Sequence, residues 1–270
     1  MQSLPYQTTG HDSIQYHVFA EGLIFAARIF RTNTLEHHSA WIYDGGVREV
    51  LSSSAALTQG ASLHLDVTAP SLQIRATELE GRLRVEAGRS EDGFEVRFQV
   101  RHSFQWSYDA ETKGEYVLHL PDLDCTVTYQ GRTLRGTGYH KRYYWRMPPR
   151  YWGYRFLHSV IDNGFAVVWT ADAMFGTSKY DYFKVLDIAS GKLLEADPQS
   201  CAHKQNRMFG DIGGEKHSIE FVEAGAWNTV LRSAVMDSHM QQRAGRMTYQ
   251  AGPLTLSGPA ITEYCFGTLG

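Results

Sequence analysis

From Ala61 to Arg101, apolar side chains recur at every second position. Leu63, Leu65 and Val67 share one face, as do Leu72 and Ile74, and then Leu83 and Val85. In the longest run Phe94, Val96, Phe98 and Val100 face one way, while Glu95, Arg97, Gln99 and Arg101 face the other. A period of two means strands with one buried and one wetted face, and sheets built that way are antiparallel. The connectors agree: Glu80-Gly81, Glu91-Asp92-Gly93 and Gln130-Gly131 are short turn sequences.

The rest of the chain extends the pattern. LIFAARIF, inside Ile14 to Arg31, reads as a buried strand on its β-branched and aromatic content. HHSAWIYDGGVREVL reads as strand, Asp44-Gly45-Gly46 turn, strand. Phe165, Val167 and Trp169 form a strand after the Asp162-Asn163-Gly164 turn, and YFKVLDIASGKLLEA is a hairpin about Ser190-Gly191. Ile219–Phe221, Val230–Ala234, Met247–Tyr249, Leu254–Leu256 and Ile261–Phe266 complete the set. Only Ser52 to Gln59 and, more weakly, Val235 to Arg243 read as helix.

Roughly sixteen to eighteen short strands exceed one small barrel. The expected fold class is therefore all-β with little helix: two antiparallel β-barrel domains packed together, residues 1–130 and 131–270. A chain of 270 residues can bury a sizeable core in either arrangement.

Near the start of the second half lies an unusual stretch, GTGYHKRYYWRMPPRYWGYRFLH, from Gly136 to His158. It holds eight aromatic residues, five cations and two histidines around Pro148-Pro149. GTGYHKRYYW, followed by WGYRFLHS and a closing GPAITEYCFG, resembles the two-domain lipocalin-like proteins of the carotenoid hydratase type. Relatives of that type include AttH-like proteins and the lipocalin-type Diels–Alderases and cyclases. Gly136, Gly138, Tyr139, His140, Trp145, Trp152, Tyr154, Glu263 and Tyr264 fall on the family's motif positions. The resemblance implies two lipocalin-like barrels and one hydrophobic ligand, a terpenoid, polyene or polyketide. It departs at Lys141-Arg142, where the family commonly has an acid. Lysine and arginine are poor proton donors at neutral pH, which weakens a simple hydratase reading.

The candidate catalytic residues are His140, Tyr154, His158, Asp172 and Glu263. Imidazoles titrate near neutral pH, and a carboxyl in an apolar pocket can become a proton donor. The candidate substrate-binding residues are Tyr139, Arg142, Tyr144, Trp145, Trp152, Trp169 and Tyr180. Rings suit a flat apolar ligand and can stabilise developing positive charge, and a cation can neutralise an acidic group on it. The plainer alternatives are packing for the rings and structural hydrogen bonds or ion pairs for the polar groups.

Other chemistries find little support. A net charge of −3 gives no general attraction to nucleic acid or anionic membrane, although cations interleaved with rings also occur in single-strand binders. Gly136-x-Gly138 is no dinucleotide fingerprint, and the twelve histidines show no HxH or HxxxH spacing. No cofactor and no metal are expected. Three scattered cysteines without CxxC point to a reducing compartment, and neither a signal peptide nor a membrane-spanning run is visible. The expectation is a cytoplasmic, cofactor-independent cyclase or isomerase acting on a hydrophobic small molecule. A carrier of such a ligand, or a hydratase using Asp172 or Glu263 as proton donor, are the alternatives.

Overall fold

A computed structural model describes residues 11–31, 35–56, 66–69, 72–79, 82–89, 94–108, 115–145, 151–161, 164–172, 182–233 and 236–269. The chain divides into two compact units, residues 1–44 with 49–148 and residues 45–48 with 149–270. Among the described residues no helix is long and apolar enough to cross a membrane.

The first sheet contains β1 (His11–Ala20), β2 (Leu23–Arg31), β3 (Leu35–Tyr43), β4 (Val47–Ala56), β5 (Asp66–Ala69), β6 (Leu72–Leu79), β7 (Arg82–Arg89), β8 (Phe94–Tyr108), β9 (Glu115–Tyr129) and β10 (Arg132–Trp145). Their order is β4-β3-β2-β1-β10-β9-β8-β7-β6-β5. This is a meander in which β1 has been joined to β10, with His11 opposite Trp145 and Ala20 opposite Gly136. At the β9–β10 hairpin Gln130 and Gly131 both take positive φ, 50° and 76°. That backbone suits the right-handed twist of paired strands, and the sequence supplies glycine where it is needed. The Tyr129 phenol donates to Asp44 Oδ2 at 2.5 Å, tying this hairpin to the turn after β3.

The second sheet contains β11 (Tyr151–Val160), β12 (Phe165–Asp172), β13 (Tyr182–Asp187), β14 (Lys192–Glu195), β15 (Ala202–Lys204), β16 (Arg207–Ile212), β17 (Glu215–Ser233), β18 (Met236–Ala251) and β19 (Leu254–Leu269). Its order is β14-β13-β12-β11-β19-β18-β17-β16-β15, again with the first strand of the unit paired to the last. The Ser190-Gly191 hairpin expected from sequence joins β13 to β14. Asp187 accepts hydrogen bonds there from the Ala189 and Ser190 amides and the Ser190 hydroxyl, which hold its carboxyl below the usual carboxylate range. The core of this unit gathers Leu157, Trp169, Phe183, Val185, Ile219, Phe221, Met247 and Tyr249 from strands at both ends of the sheet order. The second sheet therefore curls on itself.

Both helical readings need correction. Ser52–Ala56 continues β4, and the remainder of that segment lies outside the described residues. Met236–Arg243 is the first half of β18, where Ser238, Met240 and Gln242 are buried at alternate positions. Polar, unbranched residues such as Gln241-Gln242-Arg243 have helix propensity, but pairing with β17 and β19 on both sides overrides it. Ile219–Phe221 and Val230–Ser233 likewise belong to one strand, β17, with a bulge between Glu223 and Gly225.

Candidate functional site

The aromatic stretch at Gly136–His158 is shared between the two sheets. Its first part is β10, hydrogen-bonded between β1 and β9; its last part is β11, hydrogen-bonded between β12 and β19. Tyr139 and His140 therefore belong to the first unit, and Tyr154, His158, Trp169 and Glu263 to the second. Arg142, Tyr144 and Trp145 continue β10, Trp152 is second in β11 and Asp172 ends β12; only the backbone of these five is described. Tyr180 lies outside the described residues.

In the first unit, cross-strand register gathers buried polar side chains on one face of β3-β2-β1-β10. One row reads Trp41–Ala26–His17–Tyr139, and the next reads Ser39–Arg28–Gln15–Lys141. A third brings in His37, Phe30 and Ser13. Every side chain named in these rows is buried, Arg28 at 8% exposure and Lys141 at 6%. Arg28 Nε donates to Ser13 Oγ at 2.9 Å, and its guanidinium lies 5.2 Å from the centre of the Phe30 ring. His17 and Tyr139 sit ring to ring at 5.5 Å.

Burying a guanidinium, an ammonium, an amide and two imidazoles on one sheet face is costly unless each finds a partner. An apolar core would serve stability better, so such a face is the place to look for chemistry. His140 points the other way, to a face shared with Tyr16, Val18, Phe25 and Ile42, where it packs on the Tyr16 ring at 4.7 Å.

In the second unit, Tyr154 and Glu263 meet. The Tyr154 phenol donates to Glu263 Oε1. Gln242 Nε2, directly across the β18–β19 ladder, donates to Oε2 at 2.5 Å. Glu263 is 1% exposed and shares its face with Phe156, His158, Ile261, Met240, Ala244 and Trp227, all buried. Two donors aimed at the two carboxyl oxygens hold the group in one orientation and leave the phenol as its proton-bearing neighbour. Trp169 lies on the opposite face of β12, inside the unit's core.

Sequence reasoning missed His17, Arg28, Gln15, His37 and Gln242. Each sits within a strand where alternation marks the position, but period two does not say whether the second face is also buried. The one available signal was in β1 and β2, where Ser13, Gln15 and His17 alternate with apolar residues and Arg28 interrupts the run LIFAARIF. Among the described residues no three His, Cys, Asp or Glu side chains are grouped to hold a metal ion.

No protein-family model and no curated protein matches the sequence. Solved structures do. An AttH-like protein of Nitrosomonas europaea superposes with a TM-score of 0.63 at 16% identity, over 96% of this chain and 94% of that one. Kievitone hydratase from Nectria haematococca gives 0.60 at 10% identity, over 95% and 88%. The chain shares their fold. CghA does too, with a TM-score of 0.56 at 12% identity over 95% and 88%, and it has also been solved with Sch210972. The all-β, two-domain, lipocalin-like fold expected from the sequence is thus borne out, and with it the structural side of the resemblance.

Proposed function

We propose that the chain is a cofactor-independent cyclase or isomerase acting on a hydrophobic terpenoid, polyene or polyketide that carries a conjugated carbonyl. The observation that carries this reading is the buried row Ser39–Arg28–Gln15–Lys141, flanked by His17 and Tyr139. Hydrogen-bond donors fixed in a water-poor setting polarise a carbonyl and stabilise negative charge that grows on its oxygen. In a cyclisation or cycloaddition that is the electronic assistance needed, and holding a flexible chain folded supplies the rest of the rate gain. Lys141, an obstacle to the hydratase reading as a proton donor, fits here as a hydrogen-bond donor to oxygen.

A second reading rests on the Tyr154–Glu263 pair. A carboxyl and a phenol joined by a hydrogen bond on an apolar face can pass a proton to a carbon–carbon double bond, as hydration requires. Kievitone hydratase, by its name a hydratase, has the same fold.

The two readings separate in one experiment. The purified protein is incubated with linear polyenes bearing a conjugated ketone or ester, in light and heavy water, and products are read by mass spectrometry and chiral chromatography. Cyclase action gives an isomer of unchanged mass with one enantiomer in excess, and no solvent deuterium at carbon. Lys141→Met and Arg28→Met should each cost about 10²-fold in kcat while the fold is kept. Product with deuterium at carbon and an added water, lost in Glu263→Gln, would support hydration instead. Full activity in both cation variants would refute the cyclase reading. Binding without turnover would leave the chain a carrier.

A further inference from the structure

The opposite face of β11 carries a cation the proposed chemistry does not use. Arg155 is half-buried on the core side of the second unit, directly across the ladder from Tyr264 and diagonal to Trp169. Its guanidinium lies 5.5 Å from the centre of the Tyr264 ring. Among the described residues it forms no ion pair or side-chain hydrogen bond; only its backbone carbonyl is used, by the Thr170 hydroxyl. The neighbouring arginine on this face, Arg243, is engaged, with Nε donating to Thr262 Oγ1 at 3.1 Å and Nη1 lying 3.5 Å from Glu223.

A second observation points the same way. Trp169 is 0% exposed, yet its indole N–H has no hydrogen-bond partner among the described residues, although the ring meets His203 edge-on at 5.6 Å. A buried N–H left unsatisfied is destabilising, so a group that accepts from it is favoured. On the other side of Arg155 the same face becomes apolar and open. Phe266 is 38% exposed and Val230 50%, with His239 between them stacked on Phe266 at 4.8 Å.

We infer that this end of the second unit's curled sheet is a binding site for a carboxylic acid with an apolar body. The carboxylate takes the Arg155 fork in two parallel hydrogen bonds, with the Trp169 N–H available to one oxygen, and the body lies along Tyr264, Phe266 and Val230. Guanidinium matches carboxylate geometry in a way that ammonium does not. The charge balance of the face favours an anion, because Glu223 is paired with Arg243, and Asp237 lies 3.7 Å from Arg232 Nε. This site faces away from Tyr154 and Glu263 and stands whether or not the cyclase reading holds.

The test uses the full chain with dodecanoate and dodecanol as probes, followed by calorimetry and tryptophan fluorescence. Dodecanoate should bind at least about tenfold more tightly than dodecanol, and Arg155→Gln should remove that preference. Arg155→Lys should restore part of it, and Trp169→Phe should weaken the acid more than the alcohol. Circular dichroism and Tm, unchanged in Arg155→Gln, establish that the fold is kept. Equal affinity for acid and alcohol would overturn the inference. So would a preference that survives Arg155→Gln, a preference lost in Lys141→Met instead, or no binding of dodecanoate at all.

Discussion

Glu263 is held by donors from two other strands, and each contributes in a different currency. Removing the phenol with Tyr154→Phe takes away one hydrogen bond and leaves the ring to pack. Gln242→Leu removes the other and puts an apolar chain against a buried carboxyl oxygen. Each should lower the unfolding free energy by about 1–3 kcal/mol in urea titrations, and the double variant by less than the sum, because the carboxyl can reorient once both are gone. Additive losses would mean that the two bonds do not share one group's orientation. The members of this cluster were unequally visible in the sequence. Tyr154 and Glu263 stand in motif-like strands, so their residue types suggested chemistry. Gln242 sits in a polar run that reads as helix, and only the direct pairing with Glu263 gives it a role. The polar rows of the first unit were hidden for a related reason: a strand's alternation assigns two faces, and burial of both is a property of what covers them.

At the scale of elements, the long strands β17, β18 and β19 depend on one irregularity. The bulge between Glu223 and Gly225 lets β17 change its pairing by one residue, so residues beyond it present the opposite parity to β18. Gly245 sits opposite the bulge. A Cβ there would collide with the Val222 carbonyl oxygen and stand 2.7 Å from the Phe221 ring, whereas one added at Gly214, in the β16–β17 turn, would meet nothing within 4 Å. Gly245→Ala should therefore destabilise by about 1–3 kcal/mol through overpacking. Gly214→Ala costs only its backbone strain at φ +84°, about 1–2 kcal/mol. The two separate structurally: Gly245→Ala should perturb Phe221 and its neighbours in NMR spectra, while Gly214→Ala should shift only turn resonances. A silent Phe221 would mean the bulge relaxes without cost. From the sequence these strands read as several short ones, because the bulge and the glycines interrupt the alternation that defines a strand.

At the scale of the whole molecule, turns and strands could be read locally, but the joins of β1 to β10 and β11 to β19 could not. Those pairings connect residues more than a hundred positions apart, and nothing in a period of two names a partner. They also decide that Tyr139 and Tyr154, fifteen residues apart in an aromatic run, belong to different units. The curl of the second sheet, which packs Phe183 of β13 on residues of β17 and β18, also creates a pH-sensitive core in that unit. His217, paired across the ladder to Gly210 and Ala251, is buried with its Nδ1 2.7 Å from the Tyr249 hydroxyl, and both rings meet Phe183 edge-on. Burial lowers the His217 pKa from its usual 6.5, against the opposing pull of Glu215 and Asp211. Burial, aided by Glu215, pushes Tyr249 up to about 12. In both cases the folded state prefers the neutral side chain. As pH falls below 6.5 the unfolded chain takes up a proton on His217 that the folded chain resists, so stability contributed by the neutral ring is present above 6.5 and lost on acidification. As pH rises above 10 the unfolded chain gives up the Tyr249 proton that the folded chain keeps until about 12, so stability falls there as well. Urea denaturation of the whole chain, followed by tryptophan fluorescence at a series of pH values, should show a plateau between these limits. His217→Gln keeps an acceptor for the Tyr249 hydroxyl but cannot titrate, and it should flatten the acid limb while leaving the alkaline one. An acid limb of unchanged steepness in that variant would assign it to other groups.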